Sequence, residues 1–168
     1  IVHACRVLAE SHRLRVIPGI ELTFVPPEYI DDLAKKAREL GARIVVVHGE
    51  TIVEPVIPGT NRAALQSSVD ILAHPGLITA EEAALAAERG IFLEITTRRG
   101  HSLTNGHVAR MAREHGASLV LNTDAHLCDD LVTDAMARTI AAGAGLTEAE
   151  IAVMFLNSEK LAERAFRA

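Results

Sequence analysis

Apolar and polar positions follow two rhythms along the chain. Apolar runs of strand length recur at 14–21, 43–48, 69–73, 91–96 and 118–123. Between them lie stretches with helical spacing. Residues 2–12 place Val2, Cys5, Leu8 and Ala9 on one helical face. Pro26-Pro27 opens a helix over 27–40, where proline is tolerated in the first turn, and Gly41 ends it. Thr60 or Asn61 is positioned to cap a short helix over 60–67. Thr79-x-x-Glu82 forms a capping box for a helix that runs to Arg89 and stops at Gly90. Asn105 is positioned to cap a helix over 106–115. Residues 129–168 read as helical, with a break at 143–145, a restart at the second box Thr147-x-x-Glu150, and a final helix from Asn157 or Ser158. The stretches 49–60 and 97–104 read as loops.

Repeated strand–helix units imply parallel strands joined by right-handed crossovers. Five strands are too few to close an eight-stranded barrel. The expected fold is therefore α/β, either an open sheet or one wall of a TIM-like barrel with parallel strands. At 168 residues, a single domain over 1–168 with a sizeable core is expected. Hydrophobic residues make up 49% of the chain and aromatic ones only 3%, which predicts a core of Val, Ile, Leu and Ala, the usual filling of barrels.

A net charge of −5 argues against general nucleic-acid binding, which needs a basic face to release counterions. No apolar run reaches the roughly 18 residues of a membrane span, so no membrane partner is expected. Cys5 and Cys128 make no disulfide framework, and a reducing, cytoplasmic setting is the simplest expectation. The chain opens Ile1-Val2-His3, with no methionine and no strand before the first helical pattern, as the C-terminal part of a longer product would.

The chemistry lies where the apolar runs end. Ile20 leads into Glu21, Val47 into His48, Ala73 into His74, and Thr123 into Asp124-Ala125-His126. Each has an ordinary explanation alone: a hydrogen-bonded core histidine, a helix-capping aspartate, or a glutamate paired with Arg13 or Arg43. Four coincidences at strand ends point instead to a shared pocket, because parallel α/β barrels build their sites from the C-terminal ends of strands. Imidazoles and carboxylates converging there are the donor set of a divalent metal. Gly49 and the Pro75-Gly76 turn leave room for ligands and fix the strand ends, and Glu50 is a candidate partner for a ligating imidazole. Glu94 points into the mouth or ties backbone together. Arg98, Arg99 and His101, on the loop after the fourth run, are candidates to hold a phosphate dianion. His3, His12, His107 and His115 read as surface residues, and Cys128 as a bystander. No nucleophile elbow and no Walker loop occurs, which leaves metal-assisted hydrolysis by a metal-activated water.

The segments Ile17-Pro18-Gly19-Ile20-Glu21-Leu22-Thr23, Val47-His48-Gly49, Leu72-Ala73-His74-Pro75-Gly76 and Thr123-Asp124-Ala125-His126 resemble the later motifs of the PHP (polymerase and histidinol phosphatase) superfamily. Gly100 to His107 is similar to its histidinol-phosphatase-like subgroup. The resemblance implies a distorted (β/α)7 TIM-like barrel and up to three ions of Zn, Mn or Fe. It implies metal ligation by Glu21, His48, His74, Asp124 and His126, with Glu21 bridging two ions and Glu21, Asp124 and His126 serving catalysis. The substrate would be a small phosphomonoester. The family's opening H-x-H strand and the T-D-H strand after it do not occur in the sequence. The expectation is therefore a C-terminal portion of the barrel with its first two βα units missing, one well-formed site at Glu21/His48/His74, and an open sheet edge that offers homo-oligomerisation. An amidohydrolase-like C–N hydrolase and a non-catalytic metal-binding domain are the alternatives.

Overall fold

The strands end where the apolar runs predict, and their order explains why polar residues meet. The computed structural model describes residues 1–12 and 15–167, with the side chains of residues 11 and 12 not described. The expectations placed on His12, Arg13, the start of the 14–21 run and the last residue of the 129–168 stretch thus lie outside the described residues. Five strands, β1 (Gly19–Leu22), β2 (Ile44–His48), β3 (Ile71–Ala73), β4 (Phe92–Thr96) and β5 (Leu119–Asn122), form one sheet in the order β1-β2-β3-β4-β5, with every neighbouring pair parallel. Spatial order follows chain order without reversal. The sheet therefore winds one way, as a barrel wall does, and lacks the switch point of a doubly wound sheet.

Helices α1 (Val2–His12), α2 (Ile30–Glu39), α3 (Thr60–Leu65), α4 (Ala80–Arg89), α5 (Asn105–His115), α6 (Asp134–Gly143) and α7 (Glu148–Arg167) complete the fold. Alternation along each strand separates two faces. On one, Val45, Val47, Leu72, Leu93 and Ile95 pack against α2 to α5 and the first half of α7 in the main core. Leu65, Leu72, Leu93 and Ile95 are fully buried, each stabilising the fold by about 1.5–3 kcal/mol relative to exposure. Buried alanines at helical spacing, Ala34 and Ala37, Ala83 and Ala86, Ala109 and Ala112, form the inner surface of the helices and account for a core with so few aromatics.

The other face has two layers. Toward the strand N-termini, Ile71 and Val120 pack with Ile44, Val46 and Phe92, and Leu161 of α7 covers them. Asp70, just ahead of β3, accepts hydrogen bonds from Val45 N, Arg38 and Arg164, and so ties α2, β2 and α7 together at this end. Toward the strand C-termini the same face becomes polar, with Glu21 in register beside Val46 and Glu94 beside Val120.

Several local expectations are corrected. β1 begins at Gly19, because Pro18 lacks an N–H and its carbonyl is held by Arg43 N at 2.7 Å. A 3₁₀ turn (Pro27–Tyr29) precedes α2. Neither Thr60 nor Asn61 caps α3; Gly59, at φ +95, occupies that position. Asn105 is the first residue of α5, and its side chain instead bonds Thr96 N and O at the end of β4. After β5 a 3₁₀ turn (Cys128–Asp130) comes first, and the α-helix begins only at α6, which Thr133 caps by accepting from Met136 N. The Thr79/Glu82 and Thr147/Glu150 boxes form as expected. No helix restarts at Asn157 or Ser158. α7 runs through both, and Asn157 Nδ2 donates to Leu119 O on β5.

Candidate metal centre

Glu21, His48 and His74 meet at the C-terminal ends of β1, β2 and β3. His48 Nδ1 lies 3.4 Å and His74 Nε2 3.7 Å from Glu21 Oε1, and the two ring nitrogens are 2.9 Å apart. Ligand atoms around a tetrahedral ion with bonds of about 2.0–2.1 Å stand about 3.3–3.4 Å apart. The Glu21–His48 spacing matches this and the Glu21–His74 spacing, 3.7 Å, is slightly wider, while the close pair of nitrogens has the spacing of a hydrogen bond. The donor set of two imidazoles and a carboxylate therefore fits a divalent cation. Both histidines are buried, whereas the Glu21 side chain is 32% exposed at the sheet edge.

Two turns hold the histidines in place. Gly49 N donates to Ala73 O at 2.9 Å, and a Cβ on Gly49 would come within 2.5 Å of that same oxygen. Gly76, at φ +63, passes so close to the loop after β2 that a Cβ there would lie 1.9 Å from Glu50 O. Asn61 joins the two loops by accepting from Glu50 N and donating to Pro75 O. Glu50 is not the imidazole's partner. Its Oε1 accepts from Gly59 N and Asn61 N, closing the 49–60 loop.

The partner is Glu94, buried on β4. Its Oε2 accepts from His74 N at 3.0 Å and faces His74 Nδ1 at 2.9 Å, while Asn122 Nδ2 donates to Oε1 at 2.8 Å. A carboxylate there holds the ring proton on Nδ1 and leaves the Nε2 lone pair facing His48 and Glu21, an arrangement typical of metal-ligating histidines. Period-2 alternation brings Glu94 inward, but only the fold shows which group it serves.

His74, His101 and Asp124 form a second group with donor atoms within coordination reach of one another. The His74 and His101 rings stack at 4.3 Å, and His101 Nε2 lies 4.0 Å from Asp124 Oδ2. His101 Nδ1 is held by Thr51 Oγ1 at 2.9 Å. The loop after β4 thus carries this imidazole, in a 3₁₀ turn (His101–Thr104), into the candidate donor set. Arg98 is engaged elsewhere, bonding Asp130 Oδ2 at 2.7 Å and Asp124 O at 3.1 Å. Asp130 Oδ2 also accepts from His126 N and Leu127 N, so an Arg98–Asp130 knot braces the loop that carries Asp124. Arg99 is exposed. The His126 side chain is 65% exposed, with Nδ1 3.6 Å from Asp124 Oδ1, and joins neither group. Arg43 lies at the opposite end of the sheet near Arg38. His107 is half-buried rather than a surface residue, with Nε2 2.7 Å from Ile78 O.

Burial and the neighbouring charges set the electrostatics of the site. Burial works to raise the Glu21 carboxyl, but its hydrogen bond to His48 and the charges of His74, His48 and His126 bring it below the usual carboxylate value. Burial works to lower His48, and the Glu21 bond and charge outweigh it, raising the imidazole. Burial, then the charges of His74 and His48, push His101 down to about 4. Burial raises Asp124.

An α/β barrel wall with imidazoles and carboxylates at its strand ends defines the class: a fold built around a candidate divalent-cation site. Comparison with known proteins narrows it. No family model matches the chain. An uncharacterised protein of Methanocaldococcus jannaschii, MJ1295, is 53% identical over 146 residues, covering 86% of this chain and 67% of that protein. The chain belongs to the same family as this archaeal protein. A probable phosphatase of Shewanella sp. strain ANA-3 is 35% identical over 98 residues, covering 46% of the chain and 39% of the phosphatase. The crystal structure of an amidohydrolase shares the fold with a TM-score of 0.63 at 18% identity, over 95% of this chain and 45% of that one. The chain thus spans two thirds or less of these proteins. The phosphatase relative and the barrel neighbour are in keeping with the PHP resemblance. Among the described residues, no helix is long and apolar enough to cross a membrane.

Proposed function

We propose that the chain carries the centre of a metal-dependent hydrolase of the PHP type, a phosphoesterase that acts on a small phosphomonoester resembling histidinol phosphate. The observation that carries this reading is the convergence of Glu21, His48 and His74 donor atoms at three adjacent strand ends. The phosphatase name of the Shewanella relative supports an ester of phosphoric acid as substrate.

In this reading Glu21, His48 and His74 hold one ion, and Asp124, with His101 and His126, supplies donors for further ions. A bound divalent ion would polarise a phosphoryl oxygen and bring a bound water's pKa toward neutrality. Glu94 keeps the proton on His74 Nδ1. Thr51 orients His101, which stays neutral near pH 7 with a nitrogen turned to Asp124. Burial works against charge on Asp124, so its carboxylate relies on an adjacent cation and on Arg98, whose Nε lies 3.6 Å from Oδ2, for compensation. Arg98 positions Asp124 rather than reaching for phosphate, and Arg99 remains exposed to meet it.

An amidohydrolase-like C–N hydrolase is the rival with a shared fold. The bridging carboxylated lysine usual at such centres has no counterpart here, since Lys35 and Lys36 lie on α2 and Lys160 on α7. The test is hydrolysis of p-nitrophenyl phosphate with Mn²⁺ or Zn²⁺. The proposal expects turnover that EDTA abolishes and that Glu21→Gln sharply reduces. Turnover indifferent to chelator overturns it, and one bound ion without turnover assigns a metal-binding domain instead.

A further inference from the structure

At the end of the sheet opposite the metal centre, three arginines crowd one carboxylate. Arg38 of α2, Arg43 just ahead of β2 and Arg164 of α7 line a cavity of about 370 Å³ together with Asp70, Ala42 and Ala165. Small-molecule sites begin at about this volume. Asp70 is the one acidic residue in that lining, so positive groups outnumber negative ones three to one, in a chain whose net charge is −5. Elsewhere arginines meet carboxylates of their own: Arg15 with Glu163, Arg110 with Glu114 and Arg113 with Glu150.

Two of the three guanidinium groups are already held. Asp70 is buried and accepts from Val45 N at 2.8 Å, from Arg164 Nη2 at 2.7 Å and from Arg38 Nη2. Arg38 Nη1 donates to Arg43 O at 2.7 Å. Among the described residues, Arg164 Nε and Nη1 have no partner, and the Arg43 guanidinium makes no hydrogen bond and no ion pair. Ordering Arg38 and Arg164 ahead of any ligand lowers the entropy that binding would cost. Like charges gathered at one cavity repel, and an anion among them relieves that repulsion. Guanidinium forks match the oxygen geometry of a phosphate group in particular.

We infer that this cavity is a second ligand site, which takes the phosphate group of a small molecule. Arg43 supplies the free fork, Arg164 its unused N–H groups, and Asp70 fixes the frame. Ala42 and Ala165 leave the remaining volume to the organic part of the ligand. The site is separate from the metal centre, and its occupancy does not depend on the phosphoesterase reading.

The test is titration of inorganic phosphate, at a pH where it is the dianion, into the metal-free protein with chelator removed. Amide chemical shifts are followed for the wild type, Arg43→Ala and Arg43→Lys. The Arg43 side chain ties no other described element, so both variants keep the fold, and their unliganded spectra check this. The expected result is saturable shifts at Ala42, Asp70 and Ala165 that weaken as salt is added. Loss of one charge-assisted hydrogen bond in Arg43→Ala raises Kd by about 10-fold or more, with Arg43→Lys between it and the wild type. Binding that Arg43→Ala leaves unchanged overturns the inference. So do shifts confined to His48, His74 and His101, or no saturable binding to the wild type up to about 10 mM phosphate.

Discussion

Replacing Glu94 with glutamine changes one charge and little else, so it isolates what that carboxylate does. Glu94 is 3% exposed and serves three donors: His74 N and Nδ1 at Oε2, and Asn122 Nδ2 at Oε1. In Glu94→Gln the amide oxygen still accepts from both His74 donors. The new NH₂ faces Asn122, whose own amide can turn to present its oxygen. Volume and hydrogen bonds survive, and the negative charge that favours the proton on Nδ1 and makes Nε2 more basic is lost. Removing such a partner of a ligating histidine lowers metal affinity by about 10- to 100-fold, or about 1.4–2.7 kcal/mol. Competition for Zn²⁺ against a chromophoric chelator measures this, and thermal melting of the metal-free protein serves as the control. Unchanged Zn²⁺ affinity would refute the orienting role. A collapse of metal-free stability would show that Glu94 holds the fold rather than the ligand.

Two further outcomes follow from the same geometry. Gly76→Ala combines a left-handed backbone, about 1–2 kcal/mol for a non-glycine residue, with an overlap onto Glu50 O that the loop after β2 must absorb, about 1–3 kcal/mol. Urea denaturation should show a loss of about 2–5 kcal/mol, and a loss below about 1 kcal/mol contradicts the close approach. His101, held at about 4 by burial and the charges of His74 and His48, binds its proton less readily folded than unfolded. It therefore makes the metal-free protein lose stability as pH falls from about 6.5 toward 4, and not above that window. Denaturation at pH 7 and pH 5 should show a smaller drop for His101→Gln than for the wild type, and equal drops contradict the burial of a neutral imidazole.

The ends of β2 to β5 were legible because apolar runs in a parallel sheet stop abruptly where the chain turns at its functional end. His48, His74 and Asp124 mark those stops. The start of β1 was not legible, since Val16 and Ile17 continue the apolar pattern through a proline that cannot join the ladder. Asn105 and Asn157 carry the local signature of helix caps, yet their amides satisfy backbone on β4 and β5. Local spacing cannot tell whether an amide meets its own helix or a neighbouring strand. The same limit applies to Glu50 and Glu94. Both sit near a candidate histidine in sequence or register, and only packing shows that Glu50 closes its own loop while Glu94 reaches His74. The Arg98–Asp130 knot, spanning 32 positions, left no local trace, so Arg98 reads as a phosphate fork until the loop after β5 is placed against it.

The account rests on Glu21, His48 and His74 gathering around one cation. Anomalous diffraction at the zinc edge from crystals equilibrated with Zn²⁺ tests this most directly. The predicted result is a peak about 2.0–2.2 Å from Glu21 Oε1, His48 Nδ1 and His74 Nε2 together. Saturating Zn²⁺ that leaves that point without anomalous density, or that binds only at other side chains, contradicts it.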